Sequence, residues 1–152
     1  QDSIESFSKK IKVAVKSKRS KNFLIVARIE SFILGKGIND ALKRANAYSK
    51  AGADGILIHS KQKNPKEIFH FSKKFKKSKY FKFLVAVPSS YSKTHEKDLI
   101  KNGFSVVIYA NHMLRASYLS INKIAENILK NSRSFKSEKG ISPISDLLKY
   151  SK

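Results

Sequence analysis

The sequence has 152 residues, 41% of them hydrophobic, which is the length of one domain with enough apolar content for a core and too much for a disordered tail. It carries 32 Lys+Arg against 11 Asp+Glu, a formal net charge of +21, and no Cys. These figures exclude a disulfide framework, a thiolate zinc site and a thiol nucleophile. No apolar run approaches the ~20 residues of a membrane-spanning helix, so no membrane partner and a cytoplasmic location are expected. Residue 1 is Gln, and residues 1–22 lack the apolar middle of a signal peptide. The sequence is therefore expected to begin inside a longer chain or after processing.

A charge of +21 points first to nucleic acid or an anionic surface. Its make-up points away from them. Only Arg19, Arg28, Arg44, Arg115 and Arg133 are arginines, and specific phosphate and base recognition favours the planar fork of Arg over Lys. The densest block, 61–82, interleaves Lys with Phe69, Phe71 and Phe75. Stacking on bases is one reading. The other is an amphipathic helix with Ile68, Phe71 and Phe75 facing a core and lysines facing water, and the spacing favours it.

In chain order, residues 3–18 come first, with Ile4, Phe7, Ile11 and Val15 at helical spacing. The run 23–27 (FLIVA) is the first predicted strand. A turn holding Gly35 and Gly37 follows, then a helix with Ala41, Leu42, Ala45 and Tyr48 on one face and Gly52 at its C-terminal end. The second strand is 55–58 (GILI), followed by Pro65 and the lysine-rich helix, whose first turn suits a Pro. The third strand is 83–87 (FLVAV), stopped by Pro88-Ser89-Ser90. A weak helix covers 94–101 and closes at Gly103. The fourth strand is 105–109 (SVVIY). A long helix follows with Leu114, Tyr118, Ile121, Ala125 and Ile128 on one stripe, and the tail from Pro143 carries a short helix over 144–150.

The strands are continuously apolar rather than alternating, as parallel strands buried on both faces are. Strand and helix alternate, so the fold class is α/β, built of parallel βα units. The expected organisation is one partial barrel domain over 1–152. Within it, 1–20 is the helix of a preceding unit, 21–132 holds four βα units and 133–152 is a tail. Four strands fit a small open sheet, or half of an eight-stranded barrel of ~250 residues. Periodicity leaves both open.

In either architecture ligands bind at the C-terminal ends of the strands. Arg28, Glu30 and Ser31 follow the first strand, His59 and Ser60 the second, Ser89 and Ser90 the third, Asn111 and His112 the fourth. Arg can fork onto a carboxylate or phosphate, and His and Asn can bond further oxygens. Each has a plainer reading. Arg28 can pair with Glu30 on the same face of an extended chain, His59 can be a packed histidine, Ser89 a turn residue, and Asn111 a helix N-cap. The joint placement of Arg28 and His59 on adjacent strand ends favours an anion site. There is no P-loop, no GxGxxG, no HExxH and no GxSxG. Glu30 is the one acid at a strand's C-terminal end, so no metal ligand set is expected in this chain.

The stretch ARIESFILGKGINDALKRANAYSKAGADGILIHSK (27–61) resembles the phosphoenolpyruvate mutase family of the isocitrate lyase superfamily. VAVPSSY (85–91), VIYANHMLRAS (107–117) and the closing ISPISDLLKY (141–150) are similar to further segments of that family. The resemblance covers 23–150 and corresponds to the C-terminal half of the family's (βα)8 barrel. It implies an often tetrameric barrel, hence a homo-oligomer at full length, that interconverts phosphoenolpyruvate and phosphonopyruvate with Mg²⁺ present, making or breaking a carbon–phosphorus bond in phosphonate biosynthesis. It implies substrate-binding roles for Arg28 and His59, and weaker candidacies for Glu30, Ser89 and Asn111; Ser89 stands where the family usually has Thr. The Mg²⁺-binding acids are expected in the other half, since no position here matches them, and this chain alone is expected to be inactive. Phosphonopyruvate hydrolase shares much of the same pattern and is the alternative within the superfamily. A non-catalytic basic module binding nucleic acid is the alternative of another class.

Overall fold

The computed structural model describes residues 1–150. They form two compact units, Gln1–Ala110 and the described residues from Asn111 onward. The first runs α1 (Ile4–Lys16), β1 (Val26–Ile29), α2 (Gly37–Lys50), β2 (Gly55–Ile58), α3 (Lys66–Phe75), β3 (Phe83–Ala86), α4 (Glu96–Lys101) and β4 (Phe104–Val107). The four strands make one parallel sheet in the order β1-β2-β3-β4. Each strand therefore pairs with the next in sequence, and a helix makes each crossover, as parallel pairing requires.

Strand periodicity splits the sheet into two faces. Ala27, Ile29, Ile56, Ile58, Leu84, Ala86 and Phe104 lie on one and pack under the helices. Ala41, Ala45 and Tyr48 of α2, Ile68, Phe71 and Phe75 of α3 and Leu99 of α4 complete that core. The lysine-rich segment is thus an amphipathic helix. Phe71 and Phe75 are fully buried and stack on one another with ring centroids 5.5 Å apart, so neither ring is available to a base. On the opposite face Leu57, Val85 and Val87 are buried, with Phe83 packed against them, while Val26, Val106 and Ile108 stay exposed.

Gly52, at φ +109 just past α2, takes the left-handed turn expected of a helix-terminating glycine. Gly55 serves close approach. A Cβ there would come within 2.5 Å of the Phe83 ring on the neighbouring strand.

The first strand starts later than its apolar run. Phe23 and Leu24 are 65% and 54% exposed. The cause is Asp54, 29 residues downstream. Its carboxylate accepts from the Ile25 N–H at 2.8 Å, and its own N–H donates to the Ile25 carbonyl at 2.8 Å. That exchange clamps the chain at Ile25, and pairing begins only at Val26↔Gly55. The fourth strand starts one residue early, at Phe104, and contains a bulge. Leu84 faces Phe104 but Val85 faces Val106, so Ser105 is the extra residue. The shift returns Val107 to the helix-packed face.

Asp54 also takes a charge-assisted bond from Lys18 Nζ at 2.8 Å. Lys18 foremost, with the Ile25 N–H, holds the carboxyl below its ordinary value despite the opposing effect of burial. A carboxyl lowered by folding stabilises the fold above its unfolded pKa and loses that contribution as pH falls through the folded value. Asp54→Asn is therefore expected to lower stability by about 1–2 kcal/mol at neutral pH, with the gap to the parent closing as the pH falls from about 5 to 3. Thermal melts of both proteins across that window check this; a gap of constant size contradicts it.

The second unit contains α5 (His112–Asn131), a 3-10 turn (Glu138–Gly140) and α6 (Ile144–Leu148). Asn111 occupies the N-cap position of α5, yet its side chain makes no capping bond; its carbonyl accepts from the Arg115 N–H at 3.0 Å. The helix ends at Ser132, which adopts a left-handed conformation. The predicted stripe lies on one helix but is not buried: Leu114, Tyr118, Ile121 and Ile128 are all exposed. No helix among the described residues is long and apolar enough to cross a membrane.

Candidate functional site

The parallel register places Arg28, Leu57 and Val85 side by side, with Val106 next in the row. Two residues further along each strand, on the same face, stand Glu30, His59, Val87 and Ile108. The Ile108 N–H donates to the Ala86 carbonyl at 2.9 Å, which continues the β3–β4 pairing to this level. Arg28, Glu30 and His59 therefore crown the C-terminal end of β1 and β2 above a floor of Leu57 and Val85.

Both readings of Arg28 hold together. Its Nε donates to Glu30 Oε1, and its side chain is still 53% exposed. His59 is half-buried, and its Nδ1 is shielded from solvent with no hydrogen-bond partner among the described residues. Burial lowers its pKa below the ordinary histidine value, the nearby Arg28 charge lowers it further, and Glu30 acts in the opposite direction. Burial and Arg28 thus favour the neutral form of the imidazole. An exposed guanidinium beside an imidazole is an arrangement that can receive an anion.

Ser89 lies half-buried in the turn after β3, two residues beyond Val87. The turn is anchored by Tyr91, which is fully buried; burial pushes its phenol up to about 12 against the opposing pull of the Val87 backbone. Asn111 belongs to the second unit and is exposed there.

The sequence reading grouped Ser31 and Ser60 with the rim hydroxyls, and the structure corrects this. Both are fully buried and point to the helix side. Ser31 Oγ donates to Asp40 Oδ2 at 2.6 Å in the first turn of α2. Ser60 Oγ donates to Glu67 Oε2 in the first turn of α3. Asp40 also receives Arg44 Nε at 2.9 Å, and Arg44 Nη1 donates to Tyr48 Oη at 2.8 Å and to the Asp2 carbonyl at 2.9 Å. This network of Ser31, Asp40, Arg44 and Tyr48 ties the end of β1 to α2 and the start of α1. Burial opposes the charge on both Asp40 and Arg44. The hydrogen bonds outweigh it, so the Asp40 carboxyl lies below its ordinary value and the Arg44 guanidinium above its own. The signal in the sequence was parity. Ser31 and Ser60 stand two residues past the core residues Ile29 and Ile58, with an acid at the start of the next helix.

Among the described residues no group of three or more His, Asp or Glu side chains could hold a metal ion, and Glu30 is already engaged by Arg28. The residues present do not make a Mg²⁺ site.

Comparison with known proteins places this arrangement. The family model described as phosphoenolpyruvate phosphomutase matches residues 1–129. The phosphoenolpyruvate phosphomutase of Tetrahymena pyriformis is 39% identical over 128 residues, covering 84% of this chain and 42% of that protein. The crystal structure of a phosphoenolpyruvate phosphomutase from Streptomyces platensis subsp. rosaceus superposes with a TM-score of 0.86 at 33% identity, over 97% of this chain and 50% of that one. A phosphonopyruvate hydrolase structure, in complex with oxalate and Mg²⁺, superposes at 0.85 and 32% identity, over 97% and 52%. The chain thus spans about half the length of the relatives it matches, and its four βα units are part of a TIM-barrel fold. The match over residues 1–129 and the shared course of the backbone make this chain a member of the phosphoenolpyruvate phosphomutase family.

Proposed function

We propose that Arg28 and His59 bind the anionic groups of phosphoenolpyruvate or phosphonopyruvate, as the substrate-holding part of a phosphoenolpyruvate phosphomutase-type site. The observation that carries this reading is the placement of the half-buried His59 imidazole beside the exposed Arg28 guanidinium at the ends of adjacent strands. Arg28 offers a charged fork to a carboxylate or phosphoryl group. His59 bonds a second oxygen, and an arriving anion favours the protonated ring, so binding draws a proton onto the imidazole. Leu57 and Val85 form an apolar floor beneath Arg28 and His59. Charge developing on the transferring group would be stabilised by the same two residues. Glu30 orients the guanidinium through Nε; Ser89 remains a weaker substrate contact in this reading.

The likeness to a phosphonopyruvate hydrolase, as close as that to a mutase, supports a second reading. Hydrolysis would split phosphonopyruvate with water into pyruvate and phosphate; the mutase would keep the phosphorus and exchange a C–P for an O–P bond. Phosphorus NMR of the whole enzyme's products separates the two. Mg²⁺, present in that hydrolase complex, would supply charge neutralisation of the anion.

A net charge of +21 attracts any polyanion, so bulk affinity is a poor test. The His59 ring signal is a specific one. On titration with phosphoenolpyruvate the His59 resonance is expected to shift and its titration midpoint to rise, while exposed His70 and His95 stay in place. Movement of the exposed histidines alone would overturn the assignment.

A further inference from the structure

We propose that Ser60, through its hydrogen bond to Glu67, is a positioning residue that holds the His59 imidazole on the anion-facing side of the sheet. The inference gains its importance from the substrate-binding reading of His59, but its test does not depend on it.

His59 is the first residue beyond β2, where the ladder no longer fixes the backbone. The connection that follows, 61–64, is exposed throughout and gives His59 no packing support. Ser60 supplies the restraint. It is fully buried, its hydroxyl donates to Glu67, and the same oxygen accepts from the Gln62 N–H at 3.1 Å. One side chain thereby ties the residue after His59 to the first turn of α3, and α3 is held to the core by Ile68, Phe71 and Phe75. With Ser60 pinned to the helix side, alternation along the extended chain puts His59 on the other side. The device recurs one unit earlier. Ser31 is pinned to Asp40 in the first turn of α2 and follows Glu30, the partner of Arg28. Two successive βα units therefore place a buried serine–carboxylate bond immediately after the inward-facing polar residue.

The test reads His59 in the ligand-free chain by NMR of the histidine rings. In Ser60→Ala the imidazole is expected to gain access to water, so its titration midpoint rises towards the ordinary histidine value and its line broadens. A midpoint and line shape equal to those of the parent overturn the proposal, whatever happens to thermal stability. Should Ser60→Ala fail to fold, a second pair decides. Glu67→Gln keeps an acceptor for the hydroxyl and is expected to match the parent, while Glu67→Met is expected to reproduce the raised midpoint. Two Glu67 variants that both match the parent, or that both depart from it alike, overturn the hydrogen-bond role. Phosphoenolpyruvate affinity measured beside these is expected to fall about tenfold in Ser60→Ala. If phosphoenolpyruvate leaves His59 unmoved in the parent, the substrate reading fails, and the ligand-free response to Ser60→Ala still decides the positioning role.

Discussion

Arg28→Ala is expected to weaken phosphoenolpyruvate binding by about 10- to 100-fold and to abolish the ligand-induced rise of the His59 midpoint. A hydrogen bond to a charged group contributes about 1.5–3 kcal/mol, and each 1.4 kcal/mol is about tenfold in affinity. Arg28 is the cation that heads this face of β1, and its exposure in the sheet leaves it open to a ligand. Arg28→Lys keeps the charge without the planar fork and is expected to fall between parent and Ala. Ser89→Ala, which removes one hydroxyl from a half-buried turn, is expected to cost severalfold less than Arg28→Ala. Titrations of the three variants followed at His59 check the order. An Arg28→Ala protein that binds as the parent does refutes the role given to Arg28.

Arg44→Met is expected to lower the unfolding free energy by about 2–3 kcal/mol. The side chain of Arg44 is 6% exposed, and removing it strips the half-buried Asp40 carboxylate of its cation, and Tyr48 Oη and the Asp2 carbonyl of their donor. What remains is a partly buried charge held by Ser31, rather than a simple cavity. The discriminating measurement is a double-mutant cycle in urea. Arg44→Met with Asp40→Asn should cost less than the two single changes added together, because the second change removes the charge that the first exposes. Strict additivity contradicts the coupling.

Much of this was legible in the sequence, for a physical reason. Parallel strands buried on both faces write themselves as uninterrupted apolar runs, so GILI at 55–58 stands at its observed position and FLVAV at 83–87 overruns its strand by one residue. The helix around Ile68, Phe71 and Phe75 is legible because burial repeats at 3.6 residues. The start of β1 was hidden because it is decided by Asp54, a residue remote in sequence that binds Ile25. The bulge at Ser105 was hidden because an extra residue within an apolar run leaves no mark in composition. At the rim, Arg28 and His59 were legible as charged and polar residues ending apolar runs. The destinations of Ser31 and Ser60 were misread because a hydroxyl suits a ligand and a carboxylate equally, and only the face on which it stands decides between them. The stripe on α5 shows the limit of periodicity, which reports that a helix has an apolar side without reporting that anything covers it.

The sequential strand order also governs how this chain can reach its fold. Because β1 pairs with β2, β2 with β3 and β3 with β4, every ladder closes a loop no longer than one crossover. Among the described residues each strand pairs only with those of the neighbouring units. Such a topology favours stepwise assembly in which each completed unit is the template for the next. Growth of this kind is modular, and the sheet lengthens by one unit at an edge without breaking any pair already formed.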